Sequence, residues 1–426
     1  MNPPAAPKRP LRVAALVDLP RTARAGGHVK WWERLAVAAA GDSDAPLDLT
    51  VYFSGDQPDE VLSPHVRLRH LPPMFSTARL KFLPYVPDHT DLAPYHLRLA
   101  RELPLYDLIH TTDAFFAFAR TAERLARARG LPLTTSFHTD TPAYARIFTR
   151  QTIDKLSGRW PWLRRKLTED WNAPERQGAK MDGRLRRHLG QCAHAFATRA
   201  GDRDLARSVL GAGRVSNLRL GVDKTMFGPH RRDIAGFRRD YAIPEGRAVA
   251  LFVGRVDVGK NVPVLMEAAA RAIAAGAPLH LMVAGLGPMS DELAGRLRGH
   301  VSLLGFVSAE ALGRLYASVD FLALPSEIEI GGMATIEAVA SGCPALVARA
   351  SGSAEIFDRT PAMLAVENGI EAWTTALRDL AVNVEERQRM REAALDYSAR
   401  RVANWAGVLE DDLLPGWRAA LADGRR

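Results

Sequence analysis

The chain has 426 residues, of which 47% are hydrophobic and 25% charged, with 57 Lys+Arg against 48 Asp+Glu and a formal charge of +9. That composition excludes a disordered, collagen-like or fibrous chain, and the length implies two or three domains, each able to bury a core unaided. Only two cysteines occur, Cys192 and Cys343, too far apart to read as a metal or redox pair; this excludes a disulfide-stapled secreted scaffold and fits a reducing compartment. The basic balance is compatible with nucleic acid, an anionic membrane surface or phosphorylated substrates, depending on where the charge sits.

In chain order, the basic N-terminus is followed by an apolar run at 11–17 that contains Arg12 and ends at Asp18. It is too short and too charged for a signal-peptide core and reads as a first buried strand. Further strands are expected at 49–53, 106–110, 131–137, 193–197 and 215–220, with helical patterns between them, for example at 29–40 and 114–129. Within this half the window 146–189 holds twelve Lys/Arg against five Asp/Glu, a net +7, with Phe148, Trp160, Trp162 and Trp171 among them. Most of the chain's excess charge is therefore local. The polar stretch 222–247 reads as a linker with one helix. The alternation then restarts, with strands expected at 249–253, 279–284, 301–304, 321–324 and 344–347 and helices near 262–275, 308–318 and 333–341; from Glu371 on the pattern is helical. The longest uncharged stretch, 272–290, is interrupted by Gly276, Pro278, His280, Gly285, Gly287 and Pro288 and does not suit a membrane span. The expected fold class is α/β, two doubly wound parallel-sheet halves with a ligand cleft at the carboxyl ends of their strands.

Two segments carry the chemistry. GRVDVGKN (254–261) lies between a strand and a helix and matches the first seven positions of GxxxxGK, but Asn261 replaces the Ser or Thr whose hydroxyl ligates magnesium, which argues against a P-loop. What remains is Arg255 and Lys260 at the end of a strand, a pair suited to neutralising a diphosphate leaving group; a solvated basic turn is the bland alternative. In PSEIEIGGMATIEAVASG (325–342), Gly331 and Gly332 precede a helix start, where backbone N–H groups can approach a phosphate. Glu329 and Glu337, eight positions apart, are placed to accept hydrogen bonds from sugar hydroxyls, although such carboxylates also serve as caps or surface charges. The GLG at 285–287 lacks the third glycine of a dinucleotide fingerprint, since Ser290 stands in its place.

Taken together these residues resemble retaining glycosyltransferases of family 4, with the two-Rossmann architecture called GT-B. The signatures run in the family's order: GGH (26–28), SFHTDTPAY (136–144), LGVDKTMFGP (220–229), FVGRVDVGKN (252–261), VAGLGP (283–288), LLGFVS (303–308) and the Glu-x7-Glu pair Glu329/Glu337. The resemblance covers about residues 11–357. It implies that residues 1–224 form the acceptor-binding domain with 146–189 as an insertion, that 225–405 form the nucleotide-sugar donor domain, and that a helix at 406–426 crosses back to the first. By the same resemblance Arg255 and Lys260 hold the donor diphosphate, Glu337 the ribose and Glu329 the transferred sugar. Gly331 and Gly332 offer backbone amides, Gly26 and Gly27 approach the donor, and His138 reaches the sugar near its anomeric carbon. Gly287, Phe306 and Val307 face the base, and Asp140 and Tyr144 orient the acceptor. One position departs from the pattern: the family usually carries Phe just before the glycine of the Glu-x7-Glu motif, where this chain has Gly331, and the difference bears on sugar identity.

The implied reaction is hexose transfer from a UDP-, GDP- or ADP-linked sugar with retention, in which the departing phosphate oxygen takes the acceptor proton on the face where the sugar leaves. No metal and no cofactor are expected, and the Asp-x-Asp matches Asp42/Asp44 and Asp202/Asp204 have no phosphate loop beside them. The basic, Trp-containing window suits an interfacial segment on anionic lipid, or else a solvated helical insertion with buried tryptophans. The expected setting is cytoplasmic and peripheral on the inner face of the plasma membrane, with a glycolipid or polysaccharide precursor as acceptor. A catalytically silent nucleotide-sugar binder is the first alternative and a basic nucleic-acid-binding protein the second; no nucleic-acid partner is expected, because the charge is one segment and no nucleic-acid-binding motif accompanies it.

Overall fold

The computed structural model describes residues 9–23, 25–41, 47–77, 90–158, 160–358 and 360–423, which form two compact units. The first comprises the chain up to Arg219 together with Trp405 onward, and the second runs Leu220–Asn404. The sheet of the first unit contains β1 (Leu11–Pro20), β2 (Leu47–Ser54), β3 (Glu60–Ser63), β4 (Val66–Leu71), β5 (Leu108–Thr111), β6 (Leu133–Ser136), β7 (His194–Ala197) and β8 (Val215–Asn217), in the order β3-β4-β2-β1-β5-β6-β7-β8. All its neighbours are parallel except β3 and β4. Central strands of such a sheet are covered on both faces, which is why Val13, Ala14, Ala15, Leu16 and Val17 are all buried in one continuous apolar run.

The second unit builds a six-stranded, all-parallel sheet from β9 (Ala248–Val253), β10 (Leu279–Ala284), β11 (Val301–Gly305), β12 (Phe321–Leu324), β13 (Ala345–Ala348) and β14 (Met363–Val366), in the order β11-β10-β9-β12-β13-β14. In each sheet the order reverses direction beside the first strand, β1 against β5 and β9 against β12, the place where α/β sheets open a crevice at their carboxyl ends.

Three strands, β3, β4 and β14, fall outside the sequence expectation. β4 alternates, with Arg67 and Arg69 turned to Asp48, Asp59 and Glu102, so it has no continuous apolar run. β3 and β14 are edge strands, with only Val66 to Leu71 and Ala345 to Ala348 as respective neighbours, and they carry exposed residues. The expected linker is corrected as well: 222–247 is an integral part of the second unit, where Phe227 and Phe237 are buried, and the unit begins at Leu220 rather than at 225.

The helical window also takes a definite form. Helix Thr141–Leu156 pairs with helix Ala173–Leu189, and a short turn at Pro161–Arg165 followed by a π turn at Lys166–Asp170 joins them. Trp160, Trp162 and Trp171 are 54%, 64% and 53% exposed, which removes the reading in which they are buried. Arg146 fastens the two long helices to each other through Glu175 (2.8 Å) and Asp182 (3.0 Å).

After helix Val384–Arg401 the chain returns to the first unit. There Trp405 meets Trp31 edge to face with centroids 5.4 Å apart, and Trp417 is fully buried. Arg219 holds this returning segment, donating from its backbone N and Nε to Asp412 (2.8 and 2.9 Å) and pairing with Asp411 at 2.9 Å. Among the described residues no helix is long and apolar enough to cross a membrane.

Candidate active site

In the second unit the loop leaving β9 is shaped by Asp257. Its Oδ1 accepts the Lys260 N–H at 2.9 Å, capping the single turn Val258–Lys260, while Oδ2 accepts from Arg255 Nε at 3.1 Å. One carboxylate thus sets the loop and orients the arginine. Asn261, in left-handed conformation at φ 55°, donates from Nδ2 to the Pro325 carbonyl at 3.2 Å and ties this loop to the one leaving β12. The residue that breaks the P-loop pattern therefore has a structural task.

The β12 loop brings Glu329 onto Lys260, and the two side chains form an ion pair. Burial pushes the Glu329 carboxyl up, but Lys260 and Arg255 outweigh it and hold it below its ordinary value, so it stays an ionised acceptor. Arg255, Lys260 and Glu329 are accordingly one electrostatic cluster. Gly332 starts helix Met333–Ala340 at φ +68°, and a Cβ there would lie 1.8 Å from Ser353 Oγ. Any other residue would be both strained and in collision. At Gly331 a Cβ would come within 2.8 Å of Leu220. Glu337 lies one turn into that helix and is 4% exposed.

The loop leaving β10 crosses the β9 loop at backbone contact. A Cβ at Gly285 would sit 1.8 Å from the Gly254 carbonyl oxygen, and one at Gly287 would sit 2.2 Å from that of Val256. A bridge between Gly285 and Gly305 adds the β11 end, and beside it Phe306 is 48% exposed and Val307 partly buried. Gly287, Phe306 and Val307 thus share one end of the sheet with Arg255 and Lys260.

In the first unit Gly26 and Gly27 open helix Gly27–Ala40, and no described atom lies within 4 Å of the place where a Gly26 Cβ would stand. Packing inside the unit does not require glycine at that position. His138, just beyond β6, accepts at Nε2 from Trp32 Nε1 (3.2 Å) and lies 2.7 Å from Ser136 Oγ. His28 stacks on it, with centroids 4.6 Å apart and planes 9° from parallel. Burial first, then His28 and His110, keep the His138 imidazole well below its usual value, and burial pushes His28 down to about 3. Both imidazoles are neutral. The two His28 ring nitrogens are buried and lack a hydrogen-bond partner among the described residues.

Asp140 has structural work: Oδ1 caps helix Thr141–Leu156 through the Ala143 N–H (3.0 Å), and Oδ2 pairs with Arg199 at 3.0 Å. Arg199 in turn grips Asp202 at 2.7 and 2.8 Å, so Asp202 is held within a helix rather than beside a phosphate loop. Asp42 and Asp44 lie outside the described residues. Tyr144 stacks on Phe148, 5.8 Å between centroids. Sequence reasoning assigned no role to Asp257, His28, Trp32, Ser136 or His110. Asp257 was findable as the acceptor between Arg255 and Lys260, and His28 and Trp32 as polar and aromatic residues at the start of the first helix. His110 and Ser136 carry no local signal.

Residues 233–396 match the model of the family described as glycosyl transferases group 1. A GDP-mannose-dependent alpha-(1-6)-phosphatidylinositol dimannoside mannosyltransferase of Mycobacterium tuberculosis is 28% identical over 317 residues, covering 74% of this chain and 75% of that protein. A D-inositol 3-phosphate glycosyltransferase of Thermobifida fusca is 27% identical over 446 residues, covering 97% and 94%. Among solved structures, a sucrose-phosphate synthase from Thermosynechococcus elongatus superimposes with a TM-score of 0.69 at 17% identity, covering 97% of this chain and 98% of that one. A family model matching residues 233–396, relatives of 27–28% identity that align along most of the chain and two parallel-sheet α/β units shared with known glycosyltransferase structures lead to one conclusion: this protein resembles the group 1 glycosyl transferases and has the GT-B fold.

Proposed function

We propose that this enzyme transfers a hexose from a nucleotide-diphosphate sugar to a lipid-linked acceptor, a glycolipid or polysaccharide precursor, with retention of anomeric configuration. The observation that carries the donor half is the cluster of Arg255, Lys260 and ionised Glu329 beside the glycine-led start of helix Met333–Ala340. Two fixed cations and a helix N-terminus neutralise the charge that develops on a departing diphosphate, and they do so without a divalent ion. Glu337 takes the ribose hydroxyls, Glu329 those of the sugar, and the glycines 26, 27, 331 and 332 admit backbone contact. His138 faces the transferred sugar as a neutral group. The departing phosphate oxygen accepts the proton of the acceptor hydroxyl as the new glycosidic bond forms on the same face.

The acceptor half of the proposal draws on two supports. The Mycobacterium relative is named for a phosphatidylinositol dimannoside acceptor. The tip of the hairpin Thr141–Leu156/Ala173–Leu189 presents Trp160, Trp162 and Trp171 next to Arg164, Arg165 and Lys166, a pairing of interfacial aromatics and cations suited to an anionic bilayer surface on the cytoplasmic side. The test of the whole reading is hydrolysis or transfer with a panel of UDP-, GDP- and ADP-linked sugars. One donor is expected to turn over, and Glu337→Ala is expected to lose that activity by about a hundredfold or more; equal turnover in the variant overturns the site assignment.

A further inference from the structure

A run of hydrogen bonds leads from the returning C-terminal helix to His138, and its direction is fixed by donor chemistry. Trp417 Nε1 donates to His110 Nδ1 at 3.2 Å. An indole N–H can only donate, so Nδ1 of His110 is the unprotonated nitrogen and its proton resides on Nε2. That Nε2 lies 2.8 Å from Ser136 Oγ, which therefore accepts there and is left with its own hydrogen to donate. Ser136 Oγ is 2.7 Å from His138 Nε2, and the same nitrogen accepts Trp32 Nε1 at 3.2 Å. Two donors converge on Nε2 of His138, so the proton of this neutral imidazole is on Nδ1.

We infer that Trp417, His110, Ser136 and Trp32 act as positioning residues that hold His138 in the neutral tautomer protonated at Nδ1, making it a hydrogen-bond donor of fixed direction toward the substrate. The catalytic part of this inference rests on the reading that His138 faces the transferred sugar. An imidazolium at either histidine would set an N–H against an indole N–H, and the buried surroundings of both rings already disfavour that charge. The ring of His138 is further held by the stacked His28 and by Trp31, whose centroid lies 4.9 Å away. His188 shows the opposite outcome in the same unit: its Nδ1 meets the Glu123 carboxylate, and its Nε2 meets Thr111 Oγ1, whose own hydrogen goes to the Thr134 carbonyl at 3.3 Å, so both nitrogens donate. The protonation of each histidine thus follows from its partners. The relay also gives the crossing C-terminal helix a task beyond packing: the same Nδ1 of His110 lies 2.9 Å from Thr134 Oγ1, a hydroxyl that can donate or accept, and Trp417, 307 residues away, is the partner that can only donate.

The full-length protein with 15N-labelled histidine tests this by ring-nitrogen shifts at neutral pH, a measurement that needs no substrate. The wild type is expected to show His138 protonated at Nδ1 and His110 at Nε2, the His138 signals being assigned by their loss in His138→Asn. Removing both donors in Trp32→Phe/Ser136→Ala is expected to bring up the Nε2-protonated form of His138. It should lower kcat about tenfold, the effect of one misdirected hydrogen bond, with the donor KM within about twofold. Restoring the hydroxyl with Ser136→Thr on the Trp32→Phe background should recover most of that loss, and Trp417→Phe should move the His110 signals. If the double variant does not fold, the wild-type ring-nitrogen shifts of His138 and His110, with the His110 signals of Trp417→Phe, decide the relay. A wild-type His138 that is Nε2-protonated or doubly protonated overturns the relay, as does a double variant with unaltered His138 shifts. A switched tautomer with unchanged kcat leaves the relay intact and overturns the catalytic part, and with it the sugar-facing reading of His138.

Discussion

Lys260 and Glu329 form an ion pair across the loops that follow β9 and β12, and Asp257 pairs likewise with Arg255. In each pair the carboxylate keeps a cation in place without removing its charge. A ligand that brings phosphate oxygens and sugar hydroxyls can take over those contacts because it offers the same acceptors and donors. Lys260→Ala leaves Glu329 buried without its main counter-charge. We expect kcat/KM for the donor to fall by about a hundredfold, with fold retained by circular dichroism, because a preorganised charge at a leaving group is worth on the order of 3 kcal/mol. A loss of less than about threefold would remove Lys260 from the proposed diphosphate site.

Helix Ala173–Leu189 is anchored by a buried ion pair. His188 is fully buried, with Nδ1 2.6 Å from Glu123 Oε1 and Nε2 2.8 Å from Thr111 Oγ1, and Arg184 reaches the same carboxylate at 2.7 Å. Burial pulls His188 down, but Cys192 and the Glu123 carboxylate outweigh it and raise the group to about 10 from an ordinary 6.5. For Glu123, burial acts upward and His188 with Arg184 hold it below 4.5. A raised imidazole contributes stability that is complete below 6.5 and lost as pH climbs through about 10; a lowered carboxyl contributes above 4.5 and loses its share as pH falls through its folded value. Thermal melts should therefore show a plateau between these limits and a decline toward pH 10. Glu123→Gln should melt lower at neutral pH and lose most of the alkaline decline; an unchanged profile would show that the pair does not carry it. The same helix forms one arm of the hairpin that ends in Trp160, Trp162 and Trp171. Replacing all three with Ser should abolish flotation with anionic liposomes, and wild-type protein that fails to float removes the membrane surface as a partner.

Across the whole molecule, cation chemistry is distributed unevenly. The net +7 window at 146–189 lies in the first unit, whereas the Arg255–Lys260 cluster lies in the second and is balanced by its own carboxylates. Among the described residues no group of three or more His, Cys, Asp or Glu is arranged to hold a metal ion. In the proposed mechanism the fixed cations and the helix start answer the charge of a departing diphosphate, so transfer is expected to persist in EDTA with kcat unchanged within about twofold. A requirement for magnesium or manganese, seen as activity lost to EDTA and restored by the metal, would overturn the metal-free mechanism.

Strand–loop–helix signatures could be read directly from the chain because their chemistry is local: Gly332 needs its left-handed turn, Lys260 and Arg255 follow one strand, and the buried runs of β1, β2, β9 and β10 are continuous. These were enough for the fold class, and they single out Arg255, Lys260 and Glu329, the residues proposed to hold the donor. β4 escaped, since it alternates charged and apolar residues instead of running apolar, and so did the edge strands β3 and β14, which carry exposed residues. The partners escaped too. Lys260 finds Glu329 from 69 positions away, Arg219 finds Asp412 from 193, and Trp417 finds His110 from 307. A hydrogen bond acts only within about 3 Å, and which distant residues come that close follows from strand order and the path of the returning helix rather than from neighbouring residue types. His138, His110 and His188 look alike in sequence; folding makes the first two neutral and the third an imidazolium, because it alone chooses whether an indole or a carboxylate stands against each ring.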